Sequence, residues 1–250
     1  MPSRYEVIGV EGLPEIAQGD DLGRLIAAAA TRQGTALSRN DLLVVSQKIV
    51  SKSEGRVVQL SAVTPSPRAR AVAEELGRDP RLVEVILSES RRIVRQDKGV
   101  LIVETRHGWI CANAGVDQSN VDADTACLLP EDADRSARAL RDRLKALTGH
   151  QLAVLVADTF GRPWREGLTN VAVGVAGLQP LKSYLGERDP AGHVLQATIL
   201  ALADELAGAA EPVMGKLNRI PVVIIRGLEW EPGEGSSRAL LRDPARDLFR

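Results

Sequence analysis

An aspartate that directly follows an apolar run is the strongest chemical signal in the sequence. Residues 154–157 predict a buried strand, and Asp158 and Thr159 come directly after it. Arg162 and Arg165 add positive charge a few residues further on. A carboxylate, a hydroxyl and two guanidiniums suit a site where a hard divalent cation bridges phosphate oxygens and arginines neutralise the remaining charge. The alternative is a structural ion pair at a turn between Asp158 and Arg162.

A second carboxylate lies in a loop without apolar periodicity, residues 114–121. Gly115 permits a tight backbone there, and Asp117 and Asn120 offer a carboxylate and an amide to a ligand. An ordinary turn rich in Asp and Asn is the alternative, because these residues favour turns for local reasons. Since Mg²⁺ or Mn²⁺ is usually held by one or two carboxylates plus substrate phosphates, Asp117 and Asp158 together predict a metal–phosphate site.

Two lysines, Lys48 and Lys52, follow the continuous apolar run at residues 42–45. A lysine is a compact point charge that suits a phosphate, although lysines are also common at solvated strand edges. The chain contains no GxxxxGK[ST] sequence, so these lysines do not belong to a Walker P-loop.

Two glycine-containing turns could bring backbone amides close to a ligand. Residues 214–217 follow a predicted helix, where Gly215 permits close approach and Lys216 could reach a phosphate; a simple helix stop at glycine is the alternative. Residues 12–15, Gly-Leu-Pro-Glu, end the first predicted strand and could line a pocket, although this sequence is also typical of turns.

The apolar pattern predicts strands and helices without strict βαβ alternation. It therefore favours an α+β or irregular α/β fold, with mixed sheets and packed helices, in one domain or two intimately packed subdomains over residues 1–250. The predicted strands cover residues 5–10, 41–45, 100–104, 108–112, 152–156, 171–175 and 221–225. The predicted helices cover residues 20–33, 68–76, 80–96, 132–147 and 190–210. A turn is predicted over residues 158–165.

The composition excludes several classes of function. The 250 residues carry a net charge of -1, so no general field favours nucleic acid, and aromatic residues at 3% leave few platforms for stacking bases. Two cysteines and three histidines make a zinc site improbable, so any metal is expected to be a hard ion on oxygen ligands. No apolar run approaches a membrane span and no signal region is evident, so a cytoplasmic enzyme that does not contact membranes is expected.

Five segments, in order along nearly the whole chain, resemble the coenzyme F420-0:L-glutamate ligases: residues 12–14, 45–55, 114–121, 157–165 and 214–217. Residues 184–192 are also similar to that family. Such enzymes add glutamate to the carboxylate of a deazaflavin coenzyme precursor, consume GTP and use Mn²⁺ or Mg²⁺; K⁺ is kept as a further candidate ion. The resemblance implies an acyl-phosphate intermediate, a homodimer, and a fold peculiar to the family that is neither Rossmann nor P-loop.

The resemblance also implies roles for individual residues. Asp117 and Asp158 would ligate the metal, with Thr159 at a second metal position. Metal contacts near Lys216 are not expected, because a charged lysine cannot be a ligand. We expect Arg162 and Arg165 to act in catalysis on the anionic substrates or the transferring phosphoryl group. The expected nucleotide contacts are Leu13, Pro14, Glu15, Gln47, Lys52, Asn120, Met214, Gly215, Lys216 and Leu217.

Two other functions remain open at this point. One is a related carboxylate–amine ligase that acts on another acid, and the other is a non-catalytic nucleotide- or coenzyme-binding module of a fused reductase. The sequence fits either a stand-alone ligase or the ligase domain of the bifunctional bacterial form, in which a flavin-binding reductase-like domain follows.

Overall fold

The structure, a computed structural model, describes residues 4–97, 99–119 and 122–247. The helices in these residues are α1 (Leu22–Arg32), α2 (Gln47–Ser53), α3 (Pro67–Leu76), α4 (Pro80–Ser88), α5 (Ala133–Thr148) and α6 (Leu202–Met214). The strands are β1 (Glu6–Gly9), β2 (Leu42–Ser46), β3 (Val57–Gln59), β4 (Ser90–Asp97), β5 (Val100–Thr105), β6 (Ile110–Ala112), β7 (Thr125–Cys127), β8 (Ala153–Arg162), β9 (Arg165–Ala176), β10 (Lys182–Ser183), β11 (Ile199–Leu200) and β12 (Val222–Arg226).

The central sheet has the strand order β1-β12-β2-β8-β9. Strands β2 and β8 run parallel, and the other neighbours are antiparallel. Because helices cover both faces, β2 is a continuous apolar run rather than an alternating one. Its Leu43 and Val45 belong to the first core, between the sheet and helices α1 and α5, whereas Leu42 and Val44 belong to the second core, between the sheet and α6.

A smaller unit lies beside this sheet. Strands β4, β5 and β6 form an antiparallel sheet, and β3 pairs with β7. Apolar residues of α3, α4 and β5 form a third core, in which Val83, Ile86 and Leu101 are fully buried. The mixture of parallel and antiparallel strands with packed helices confirms the predicted α+β class. None of the helices in the described residues is long and apolar enough to cross a membrane.

Two predicted helices are wrong in part. The helix predicted over residues 80–96 ends at Ser88, and the following segment is β4, in which the β-branched Ile93 pairs with Val103 of β5. The helix predicted over 190–210 begins only at Leu202. Upstream, Asp189 accepts the backbone N–H groups of residues 191 and 193, which holds a local turn in place of helical bonds.

The turn predicted after the strand at residues 152–156 also lies elsewhere. Strand β8 continues to Arg162, because it pairs with β9 through Asp158 opposite Val171 and Thr159 opposite Asn170. The connection to β9 therefore falls at residues 163–164. Asp158 is held within a ten-residue strand rather than at a turn, which fixes its side chain more firmly than the sequence suggested.

Candidate active site

The site begins where two parallel strands end side by side. Ser46 of β2 lies opposite Ala157 of β8, so helix α2 starts next to Asp158. The Ser46 hydroxyl caps α2 by accepting the backbone N–H of Lys48. Ligands of open α/β sheets bind outside the carboxyl ends of the strands. The ends of β2 and β8 bring Lys48 and Asp158 to such a position.

A left-handed turn places the second carboxylate. Asn113, Ala114 and Gly115 have φ values of 55°, 56° and 70°, a conformation that costs free energy for residues other than glycine. A side chain at Gly115 would meet Leu129 at 2.7 Å, so glycine is required. The backbone of Asp117 then pairs with that of Cys127 on β7, which ties the loop to the smaller unit.

Asp117 and Lys48 form the centre of the site. The Lys48 ammonium donates to Asp117 Oδ2 at 2.8 Å and to the backbone oxygen of Ser119 at 2.9 Å. The Ser119 backbone N–H donates to Asp117 Oδ1 at 2.7 Å. Burial acts to raise the pKa of Asp117, but the bonds from Lys48 and Ser119 outweigh it and hold that pKa below its usual value. The carboxylate is thus ionised and already neutralised by a cation.

Asp158 has the opposite electrostatic character. The pKa of Asp158 is raised to about 6, chiefly by burial and in smaller part by the negative charge of Asp117. The backbone N–H of Thr159 and the ammonium groups of Lys48 and Lys216 oppose this rise. Two carboxylates that disfavour each other's charge are stabilised by a cation between them. The donor set therefore fits one hard divalent ion, held by Asp117 and Asp158.

Among the described residues, no group of three or more His, Cys, Asp or Glu side chains is arranged to hold a metal. Two carboxylates from the protein, with water and substrate phosphates as the remaining ligands, is the usual arrangement for Mg²⁺. The cysteines do not add ligands of their own: both are buried, and burial raises the pKa of the Cys111 thiol to about 12. Both cysteines pack in the cores of the protein.

The raised pKa of Asp158 leads to a pH prediction for the metal-free protein. Between about pH 4 and pH 6 the folded protein holds a proton on Asp158 that the unfolded chain releases, so this group's stabilising contribution should fall as pH rises through that window. Urea unfolding in the presence of a chelator, for wild type and Asp158→Asn, isolates the contribution as the difference between the two proteins. A difference that is constant from pH 4 to pH 7 would contradict the assignment.

Thr159 points to the other face of the sheet. Asp158 lies opposite Val171, which packs against the first core, whereas Ala157 and Ala172 belong to the second core. Since successive strand residues alternate in direction, Thr159 faces α6. The structure therefore does not bring its hydroxyl to the Asp117–Asp158 pair.

On the α6 face, Thr159 belongs to a polar ring. Its Oγ1 donates to Asn170 Oδ1 at 2.8 Å, and Asn170 Nδ2 donates to Glu211 Oε2 at 2.8 Å. Lys216 closes the ring, with its Nζ 2.7 Å from Thr159 Oγ1 and 3.4 Å from Glu211 Oε1. Asn170 is buried, so these bonds satisfy its amide.

Several predicted nucleotide contacts do converge. The Lys52 ammonium pairs with the Glu15 carboxylate, although the two residues are far apart in sequence. Leu13 and Gly12 line a cleft of about 460 Å³ together with residues 218–220. Arg32 donates to the Gly12 carbonyl at 3.1 Å and so helps to hold this wall of the cleft in place.

The remaining predicted contacts differ in their accessibility. Gln47 is buried and its Oε1 accepts the Ser51 hydroxyl, and Met214 is also buried. Pro14 is exposed, Gly215 ends α6, and Leu217 is 91% exposed beside the cleft. Asn120 lies outside the described residues. The nucleotide contacts remain predictions.

Arg162 and Arg165 lie opposite each other at the end of the β8–β9 hairpin. Arg162 Nη2 donates to the backbone oxygen of Glu166 at 3.1 Å, and both arginines are exposed. Arg162 lies four positions beyond Asp158 on β8, a span of about 13 Å at about 3.3 Å per residue. Within one chain the structure does not bring these arginines to the acidic pair, and their catalytic role remains a prediction.

Sequence reasoning did not single out Ser119, Asn170 or Glu211. No local signal marks the last two, because Asn170 sits in an apolar strand and Glu211 in the last turn of α6. Their relation to Thr159 depends on the register of β8 with β9 and on how α6 packs against the sheet. Ser119 lies in the same loop as Asp117, and this position was the one sequence feature that could have marked it as a site residue.

Comparisons with known proteins show the family of the chain. A model of the F420-0:gamma-glutamyl ligase family matches residues 12–227. The chain is 48% identical over 247 residues to the coenzyme F420:L-glutamate ligase of Methanothermobacter thermautotrophicus, with 98% of each chain covered. It is 46% identical to that of Methanopyrus kandleri, with 94% of each covered, and 40% identical to that of Methanocaldococcus jannaschii, with 99% of this chain and 97% of the relative covered.

Identity at this level over nearly the whole length shows that the chain is an enzyme of the ligase class. It belongs to the F420-0:gamma-glutamyl ligase family. The resemblance carried by the five sequence segments is thereby confirmed.

Proposed function

We propose that this enzyme adds L-glutamate to the free carboxylate of the deazaflavin coenzyme F420 precursor, with GTP and one Mn²⁺ or Mg²⁺ ion as requirements. The observation that carries the proposal is the pair of Asp117 and Asp158, because a bound cation would stabilise their two negative charges. Lys48 contacts Asp117, and the chain belongs to the ligase family. The relatives' names supply the substrates.

The first step activates the carboxylate. One of its oxygens attacks the γ-phosphorus of GTP, the bond to the β–γ bridging oxygen breaks, and GDP leaves, which gives an acyl phosphate. Phosphoryl transfer asks a protein chiefly for positioning and for neutralisation of charge. A cation held by Asp117 and Asp158 would supply charge neutralisation for the phosphate oxygens.

The second step forms the amide. The amine nitrogen of glutamate attacks the acyl carbon, the carbon–oxygen bond to phosphate breaks, and phosphate leaves while the nitrogen loses a proton. This route needs no nucleophilic side chain. It agrees with a site that holds carboxylates and lysines. The two neighbouring thiols, Cys111 and Cys127, stay protonated because burial raises the pKa of each.

Lys48 has a specific place in this scheme. In the free protein its ammonium neutralises Asp117. With a divalent ion held by Asp117, the Lys48 ammonium would leave that carboxylate, and its flexible side chain would direct it to the phosphates. Lys52 and the wall at Leu13 support the nucleotide in the cleft between residues 12–13 and 218–220.

A homodimer and a cytoplasmic location complete the proposal. The hairpin of β8 and β9 supports the homodimer, because it presents Trp164, which is 78% exposed, and Leu168, which is 68% exposed, at one end of the sheet. Large apolar side chains exposed on one hairpin are candidates for a protein–protein contact.

A mass-spectrometric assay tests the activity. Purified protein is incubated with glutamate-free coenzyme precursor, L-glutamate, GTP and Mn²⁺, and parallel reactions omit GTP, omit the metal, or contain ATP in place of GTP. We expect a product heavier by one or more glutamyl units that requires both metal and nucleotide.

Two results would contradict the proposal. Product formation without nucleotide would exclude the acyl phosphate. Absence of product, from folded protein that binds GTP, would favour a related ligase for another acid, and a panel of other carboxylic acids with the same amine would then identify it.

A further inference from the structure

We propose that this chain works with a single divalent cation, on Asp117 and Asp158, and that the ammonium group of Lys216 takes the place of a second cation beside Thr159. The proposal rests on the metal dependence proposed above. It concerns the position at which the resemblance implied a second metal ion.

The residues around Thr159 are of a kind that would suit a metal. A hydroxyl, an amide oxygen and a carboxylate, from Thr159, Asn170 and Glu211, lie together on the α6 face of the sheet. Hard divalent cations prefer such oxygen ligands. The buried position of Asn170 holds the group in a fixed arrangement.

Lys216 already occupies the position that such an ion would need. Its Nζ lies 2.7 Å from Thr159 Oγ1 and 3.4 Å from Glu211 Oε1. Because Thr159 directs its hydroxyl hydrogen to Asn170, the lone pairs of that oxygen are left for the ammonium. A divalent ion on the same oxygen would be repelled at close range by the ammonium and would have to displace it.

The backbone delivers Lys216 to this place. Helix α6 ends at Gly215, whose φ of 55° and ψ of 173° turn the chain back toward the sheet. The lysine side chain is 63% exposed, so one side of its ammonium faces solvent. An ammonium group has three donors, and two are directed at Thr159 and Glu211. The third is available to a phosphate oxygen of the nucleotide.

The Lys216 ammonium carries its positive charge at the Thr159 hydroxyl and the Glu211 carboxylate. A fixed charge of +1 replaces the +2 that a second metal would supply, and it does so without depending on metal concentration.

The number of Mn²⁺ ions bound per chain tests this proposal. Equilibrium dialysis of the full-length protein against Mn²⁺ with saturating GDP, followed by metal analysis, measures that number without turnover. The proteins are wild type, Lys216→Met, Thr159→Val, the double variant Lys216→Met/Thr159→Val, and Asp158→Asn. Lys145→Met is the control, on an exposed lysine of α5. We expect Lys216→Met to bind one ion more than wild type, and the double variant and the control to bind the wild-type number.

Two outcomes would overturn the proposal. One is an unchanged ion count in Lys216→Met that circular dichroism shows to be folded. The other is a wild-type ion that is lost in Thr159→Val alone. Failure of the proposed metal dependence is a separate result. In that case wild type and Asp158→Asn would bind the same number of ions. The change in ion number caused by Lys216→Met would still decide the role of Lys216.

Discussion

The Asp158→Asn variant is expected to fold normally and to lose more than about 100-fold in metal-dependent turnover. Mutation of groups that merely orient a metal ligand commonly costs about 10–100-fold, and the loss of a direct ligand should exceed that range. Folding should survive because asparagine keeps the shape of the side chain and removes a charge that burial disfavours. Steady-state rates over a range of Mn²⁺ concentrations, with urea unfolding in parallel, measure both effects.

Asp142→Asn is the matched control, because Asp142 has a 63% exposed side chain and lies on α5, outside the site. It should keep wild-type turnover and metal response. If Asp158→Asn were folded and retained an unchanged rate and unchanged Mn²⁺ dependence, the assignment of the metal to Asp117 and Asp158 would fail.

The Lys48→Met variant is expected to change metal binding and turnover in opposite directions. Without nucleotide, Mn²⁺ affinity should rise by about 10-fold or more, because the ammonium no longer competes for Asp117 and a hydrogen bond to a charged group is worth about 1.5–3 kcal/mol. Turnover should fall by about 100-fold, the usual cost of removing one group that stabilises developing charge. Calorimetric Mn²⁺ titration and steady-state kinetics with GTP measure the two effects.

The opposite signs separate this role from a structural one. A lysine that only supported the fold would, when replaced, weaken metal binding and turnover together. Lys145→Met again serves as the control and should change neither quantity. A Lys48→Met protein with lowered Mn²⁺ affinity would show that the lysine does not compete with the metal.

Much of the fold could be predicted from local patterns. The apolar run at residues 42–45 and the run at 222–225 are buried on both faces, so their composition alone predicts central strands. The helices predicted from residues 20 and 132 begin close to those positions, and Asp21 and Asp132 cap them by accepting backbone N–H groups of their first turns. The helix predictions failed at β4 and at residues 190–201, where strand pairing in one case and side-chain bonds from Asp189 in the other outweigh the apolar spacing.

The candidate site divides in the same way. The sequence by itself determined the family, because the family depends on residue types and on the order of short segments. It also predicted Asp117 and Asp158 as metal ligands, and this assignment remains a prediction. Only the tertiary structure decided which lysine serves which carboxylate: Lys48 pairs with Asp117, Lys52 with Glu15, and Lys216 with Glu211 and the Thr159 hydroxyl.

The physical reason is that these pairings join segments distant in the chain. The left-handed turn before Asp117, the parallel alignment of β2 with β8, and the register of β8 with β9 set the distances between side chains. The same register places neighbouring residues Asp158 and Thr159 on opposite faces of one strand. Adjacent in sequence, they have different partners: Thr159 contacts the Lys216 ammonium, and Asp158 is proposed to hold the metal ion.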